Sequence, residues 1–176
     1  GRVIEILGFK GSPGIEAQMA TRSYELPHLF PKDAIKEAKS FGEKIPKKAL
    51  KDRKDLTDMH FVTIDGDDAK DFDDAVFCQK RKDGWRLYVA IADVSYYIEP
   101  KSSCDAQARI RGNSVYFPDY VIPMLPEELS NGLCSLKPEV ERLCLVCEML
   151  ISDEGKITRS TFYDAVICSK ARLTYT

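Results

Sequence analysis

Residues 63–77, TIDGDDAKDFDDAVF, limit what this chain can fold into more than any other stretch. Six aspartates (Asp65, Asp67, Asp68, Asp71, Asp73 and Asp74) fall within ten positions, with apolar runs on both sides. The apolar flanks draw the backbone to the edge of a core, where crowded carboxylates repel one another and resist desolvation. Asp65 closes the short apolar segment FVTI, and Asp71, Asp73 and Asp74 open the next one. The intervening GDDAK is a loop containing Gly66. Two element ends can thus bring carboxylates to one point from different directions. In an extended chain Asp73 and Asp74 point to opposite sides, so one can face each of two ions. A donor set made only of oxygen suits Mg²⁺ or Mn²⁺. Paired divalent ions activate water and steady a leaving oxygen, which points to phosphodiester hydrolysis. A solvated acidic turn and structural calcium are the competing readings. The calcium-loop pattern D-x-[DN]-x-[DN]-G does not fit, because no glycine stands sixth from Asp65 or from Asp71.

Charge distribution agrees with work on a polyanion. Residues 1–60 carry 12 Lys/Arg against 9 Asp/Glu, and residues 61–120 carry 8 against 11, so an acidic centre has a basic flank. Chance is the plainer reading of so small a swing. No run of eighteen apolar residues exists, so no transmembrane helix is expected. The six cysteines do not make a disulfide-dense scaffold, and a reducing, cytoplasmic location is expected. Cys144 and Cys147 have half-zinc-site spacing, but in a strand they face opposite ways and no second pair follows.

Along the chain, residues 1–7 and 15–22 read as strands around a loop with Gly8, Gly11, Pro13 and Gly14. The pattern predicts a helix over 31–41, opened by Pro31 and closed by Gly42. Residues 42–60 read as a charged, extended linker. Strands are predicted at 74–79 and 85–94, joined by a hairpin ending in Asp83-Gly84. A helix over 102–111 starts at Ser102 or Ser103 and stops at Gly112. Residues 113–126 look too broken for regular structure, and a short helix follows at 126–134. Residues 142–152 and 156–167 read as a long hairpin around Asp153-Glu154-Gly155, and the final residues as the start of a helix. The fold class expected is α+β, with a mixed, largely antiparallel sheet and flanking helices. The absence of an initiator methionine and the abrupt end at ICSKARLTYT read as an excised piece of a longer protein.

Several ordered motifs carry a resemblance. They are residues 63–75 (TIDGDDAKDFDDA), 84–87 with 89–97 (GWRL, VAIADVSYY), 111–118 (RGNSVYFP), 121–126 (VIPMLP) and 129–136 (LSNGLCSL). Together they resemble the ribonuclease II / ribonuclease R family, and the wording GDDAKDFDD is closer to the ribonuclease R branch. The resemblance implies three parts. Residues 1–25 are the end of a cold-shock (OB-like) module, 26–51 a helix and linker, and 52–176 the N-terminal half of an RNB catalytic domain. It implies a processive, hydrolytic, Mg²⁺-dependent 3′-to-5′ exoribonuclease that releases nucleoside monophosphates, with Mn²⁺ as a substitute ion. Asp65, Asp71, Asp73 and Asp74 match the family's four active-site aspartates, which serve as metal ligands. Loss of Asp73 is expected to abolish cleavage with least effect on RNA binding. Tyr116 matches the tyrosine that packs against the 3′-terminal nucleotide, a contact tolerant of base identity. Arg111 and Asn113 are candidate RNA contacts, with solvated helix-end positions as the plain alternative.

The resemblance also implies what lies outside these residues. In the family the later half of the catalytic domain carries an arginine that serves the chemistry and the second wall of the RNA channel, and a C-terminal S1 module follows. The isolated chain is therefore expected to be inactive, and its uncovered faces to favour self-association. The partners implied are single-stranded RNA 3′ ends and structured RNA with a 3′ overhang, with no membrane. The rival readings are a non-catalytic RNA-binding or regulatory relative of the same fold, and an unrelated protein with an acidic loop.

Overall fold

The computed structural model describes residues 1–118 and 120–175. Residues 1–7, expected as a strand, form no regular structure, and Val3, Ile4 and Ile6 are exposed because no described strand pairs with them. The expected strand over 15–22 is instead a helix, α1 (Ile15–Ser23). Gly14, in the left-handed region at φ 76°, turns the chain into it. Glu16, Ala17, Gln18, Met19 and Ala20 are good helix formers, and Ile15, Ala17 and Thr21 are buried.

The second helix, α2 (Lys32–Ser40), follows Pro31 and ends before Gly42, whose φ of 71° fits a glycine beyond a helix end. The linker is not uniformly extended. It holds a 3₁₀ turn at Lys47–Leu50 and a two-residue strand, β1 (Lys54–Asp55). Strands β2 (Val62–Asp65), β3 (Asp74–Arg81) and β4 (Gly84–Ala92) come next, with Asp65 and Asp74 at the ends that border the aspartate loop. Helix α3 (Ser103–Arg111) is capped by Ser102, whose Oγ accepts the Asp105 N–H, and Gly112 at φ 75° ends it.

The segment expected to be irregular contains a small antiparallel ribbon, β5 (Val115–Tyr116) with β6 (Val121–Ile122). A π-helical turn, Glu128–Leu133, stands where a short helix was predicted. The long hairpin is β7 (Glu141–Ile151) and β8 (Ile157–Cys168). The chain then forms an edge strand, β9 (Ala171–Thr174), and not a helix. Parallel pairing with β2 supplies the backbone partners that make a strand there.

The seven strands run in the order β1-β8-β7-β4-β3-β2-β9. Only β1–β8 and β2–β9 are parallel. The fold is thus α+β with a mixed, largely antiparallel sheet. One sheet face is covered. Ala75, Tyr88, Ala90, Val146 and Ala165 lie under Ala34 and Ala38 of α2, Cys104 of α3, and Leu129, Leu133 and Leu136. The other face is open. Ile91 pairs with Leu145, and Cys147 with Phe162, yet Ile91, Leu145 and Phe162 are 47%, 45% and 67% exposed. Asp74 pairs with Ile91 and so shares this open face. Cys144 and Cys147 fall on opposite faces and all six cysteines are free. No helix among the described residues is long and apolar enough to cross a membrane.

Candidate active site

The aspartate loop joins β2 to β3, neighbours in the sheet, so Asp65 and Asp74 stand at one sheet end. Three sets of contacts pin the loop between them. At its start, Nη2 of Arg172 donates to the carbonyls of Gly66 (2.9 Å) and Asp67, and the guanidinium lies 5.3 Å from the ring centre of Phe72. In the middle, Ser135 Oγ donates to the Lys70 carbonyl (2.8 Å) and accepts the Phe72 N–H (3.0 Å). The Leu136 N–H donates to the Phe72 carbonyl (2.8 Å), and Phe72 itself is buried. At its end, the Asp73 carbonyl accepts the Ala92 N–H of β4 (2.8 Å).

These anchors hold like charges together. Burial pushes the Asp65 carboxyl above the usual carboxylate range, and the charges of Asp74 and Asp71 push it further, with Arg172 the opposing influence. Asp73 is also raised, by desolvation of its carboxyl first and then by Asp71, Asp74 and Asp65. Asp65 thus feels the charges of Asp71 and Asp74, and Asp73 feels those of the other three.

Tyr116 joins them. Its hydroxyl donates to Asp71 Oδ2 at 3.1 Å while its ring remains exposed. Burial of the hydroxyl, the Asp71 charge and this hydrogen bond raise its pKa, so the phenol keeps its proton as a donor. The ribbon that carries Tyr116 is tied to α1, because Tyr120 on it shares a 2.8 Å hydrogen bond with Thr21. Ser114 accepts the Met124 N–H (3.0 Å), bracing the same ribbon. Asn113 is exposed just before it.

Arg111 does not fit the expected RNA-contacting set. Its guanidinium donates to the carbonyls of Pro27, Leu29 (2.9 Å) and Pro123 (3.4 Å) and lies 3.7 Å from the ring centre of Phe30. Three main-chain acceptors and an aromatic face occupy the group that a phosphate would need, so its role is to tie the 27–30 segment to α3.

Among the described residues, no three carboxylate, imidazole or thiol groups stand close enough to hold an ion as placed. The donor chemistry nevertheless suits a hard divalent cation. Four carboxylates border one loop, with Asp65 and Asp73 repelled by their neighbours, and Asp65 Oδ2 is buried without a hydrogen-bond partner.

Sequence reasoning missed Ser135 and Arg172. Ser135 lies in LSNGLCSL, a motif that marked the resemblance without showing what its serine touches. Arg172 lies in a segment expected to begin a helix.

Comparison with known proteins identifies the family. Residues 53–176 match the RNB domain, and residues 1–31 match a cold shock domain. The chain belongs to the RNB domain family, with a cold-shock segment ahead of the RNB domain. Within that family it is a member of the ribonuclease R branch. It is 57% identical over 176 residues to ribonuclease R of Vibrio parahaemolyticus, covering 99% of this chain and 21% of that protein. It is 53% identical over 177 residues to ribonuclease R of Escherichia coli, covering 100% of this chain and 22% of that protein. The chain thus spans about a fifth of the length of these relatives. Among solved structures, Mycoplasma genitalium RNase R in complex with ribose-methylated single-stranded RNA matches with a TM-score of 0.91 and 36% identity, over 97% of this chain and 27% of that one. The same protein has also been solved with double-stranded RNA. Yeast Ssd1, a pseudonuclease, shares the fold at a TM-score of 0.78 and 21% identity, over 96% of this chain and 22% of that one.

Proposed function

We propose that this chain supplies the aspartate-bearing half of the active site of a processive, hydrolytic 3′-to-5′ exoribonuclease that releases nucleoside 5′-monophosphates. In this reading residues 1–25 end a cold-shock module, 26–51 connect, and 52–176 are the first half of the catalytic domain. The observation that carries it is one loop with four interacting aspartates, one of them hydrogen-bonded to an exposed tyrosine. Asp65, Asp71, Asp73 and Asp74 would hold Mg²⁺, with Mn²⁺ as a substitute. Bound there, the ion would activate water and neutralise charge that builds on the phosphodiester.

The chain's own groups do the remaining work. Arg172, Ser135 and the β4 backbone fix the main chain of the loop, so that its carboxylates would close on a bound ion from a set backbone. Tyr116 keeps its proton, orients one Asp71 oxygen and offers its ring face to a terminal base. Stacking reads no base identity, which suits degradation of any 3′ end. Asn113, exposed beside Tyr116, serves as a backbone contact to the same RNA. The substrates are single-stranded 3′ ends and structured RNA with a 3′ overhang, and the location is cytoplasmic.

In this reading the arginine that serves the chemistry belongs to the later half of the family's catalytic domain, so the isolated chain is inactive and self-associates through its open sheet face. A pseudonuclease shares this fold, so fold alone does not separate an enzyme from a non-catalytic RNA-binding relative. The presence of all four aspartates favours the enzyme.

Cleavage of 5′-labelled single-stranded RNA by the full-length protein tests the reading. The expected result is a ladder shortening from the 3′ end in Mg²⁺, lost with EDTA and lost in Asp73→Asn. Silence from the full-length protein in Mg²⁺ would sink it.

A further inference from the structure

Ser135 occupies an unusual place in this site. It is 1% exposed and sits between Cys134 and Leu136, which are also buried. Its carbonyl accepts Arg142 Nε at 2.9 Å, and Arg142 is itself a buried residue. The segment is therefore buried, and Arg142 holds it by a group other than those that meet the aspartate loop. From that segment one hydroxyl reaches both main-chain groups that bracket Asp71, donating to the Lys70 carbonyl and accepting the Phe72 N–H. A hydroxyl can do both at once, which few small side chains can. Strand pairing does not hold these groups, since residues 66–73 lie between β2 and β3. Without the hydroxyl, the buried Phe72 N–H and the Lys70 carbonyl beside Asp71 would lose this partner, and the loop would move to find others. Asp71 carries the hydrogen bond from Tyr116, so that move would also displace the aromatic contact.

We infer that Ser135 is a positioning residue. It sets the backbone on both sides of Asp71 and so presents that carboxylate, together with Tyr116, for divalent-ion binding. The inference rests on the metal reading above and adds to it the group that prearranges the site. Ser135 touches neither ion nor RNA.

A second serine gives a matched control. Ser169 is equally buried, and its hydroxyl lies 3.4 Å from the Phe61 carbonyl and 3.2 Å from that of Ala171, neither of them a residue of the aspartate loop. The experiment is a Mn²⁺ titration of the full-length protein without RNA, read by electron paramagnetic resonance of the free ion. It runs at a temperature where circular dichroism shows each variant folded. Ser135→Ala is expected to weaken Mn²⁺ binding by about tenfold or more, the usual effect of removing an outer-shell support. Ser169→Ala is expected to lower thermal stability similarly while binding Mn²⁺ as the parent does. Ser135→Cys keeps a weak donor and acceptor, stands in if the alanine variant fails to fold, and is expected to fall between parent and alanine. Binding by both Ser135 variants within about twofold of the parent would overturn the inference, and so would an equal loss in Ser169→Ala. Absence of Mn²⁺ binding in the parent would overturn the metal reading and this inference together.

Discussion

The ion pair between Arg53 and Asp93 offers the sharpest test of how this fold holds its active-site edge. Arg53 directly precedes β1 and Asp93 follows β4, and their side chains are only 8% and 10% exposed. Nη2 of Arg53 donates to Asp93 Oδ2, and Nη1 donates to the Cys144 carbonyl at 3.4 Å. The other carboxylate oxygen accepts the Ser95 hydroxyl (2.6 Å) and the Tyr96 N–H (3.2 Å). Arg53→Met removes the cation but leaves the anion inside. Breaking one side of a buried pair costs about 3–5 kcal/mol. At about 2–4 °C per kcal/mol for a chain of this size, the melting temperature should fall by roughly 6–20 °C. Arg53→Met with Asp93→Asn removes both charges while keeping an acceptor for Ser95 and Tyr96. It should recover most of that loss. The pH dependence has a fixed sign. Burial pushes Asp93 up, but the Ser95 hydroxyl, Arg53 and the Tyr96 N–H outweigh it and hold the carboxyl below its usual range. Its stabilisation is therefore present above the unfolded pKa of about 3.9 and is lost as pH falls toward the lower folded value. Removing Arg53 removes part of that compensation, so the penalty of Arg53→Met should shrink as acid protonates Asp93. Urea titration of the 176-residue chain at several pH values measures all of this. A penalty under about 1 kcal/mol at neutral pH, the range of an exposed pair, would refute the reasoning. A double variant as unstable as the sum of the two singles would refute it as well.

Asp73→Asn should raise the melting temperature of metal-free protein at pH 7, because burial and three neighbouring carboxylates disfavour its charge. For the parent, Asp65 and Asp73 have raised folded values, so their contribution to stability is greatest in acid and is lost as pH rises through them. Differential scanning calorimetry in EDTA reads both effects. Tyr116→Ala in the full-length protein should weaken binding of an RNA 3′ end by about 1–3 kcal/mol, whereas Tyr116→Phe, which keeps the ring, should lose far less; fluorescence anisotropy separates them. Gly84→Ala should destabilise the chain by at least about 2 kcal/mol in urea titration, because a Cβ there meets the Ile151 carbonyl oxygen at 2.0 Å and φ is +129°. Phe162→Glu should shift the isolated chain toward monomer in sedimentation velocity, since Phe162 is the most exposed of the paired open-face residues.

Parts of the fold that rest on local signals were legible in the sequence. Ser102 and Gly112 bound α3 because cap chemistry acts within a turn. Asp83-Gly84 and Gly155 mark hairpins for the same reason, and α2 follows from Pro31 and Gly42. The errors fall where a distant partner decides. IEAQMATRS has both β-branched residues and helix formers, and the helix formers prevail where no neighbouring strand is available. ARLT became a strand because β2 lies open to pair with it, more than a hundred residues away in sequence. β1 exists for a similar reason, lying along β8.

The candidate site divides along the same line, and this explains why its chemistry was easier to read than its support. Carboxylates must be many and close to attract a divalent ion, so Asp71, Asp73 and Asp74, three in four positions, together with Asp65 advertise themselves in the chain. Their supports need only one hydrogen bond each, from anywhere. Ser135 is 63 residues from Phe72, and Arg172 more than a hundred from Gly66. A lone serine or arginine in a sequence announces nothing, because either residue is usually solvated. Arg111 shows the reverse error. A basic residue beside an aromatic motif suggested phosphate, yet the fold gives it three carbonyls and a ring. Charge counts identify what a site can bind, whereas which charges are free to bind depends on the long-range contacts that consume them. The same logic makes Ser135 and Arg172 better probes than further aspartate substitutions. Removing an aspartate changes the donor set itself, while removing a support leaves every donor in place and asks whether their arrangement matters.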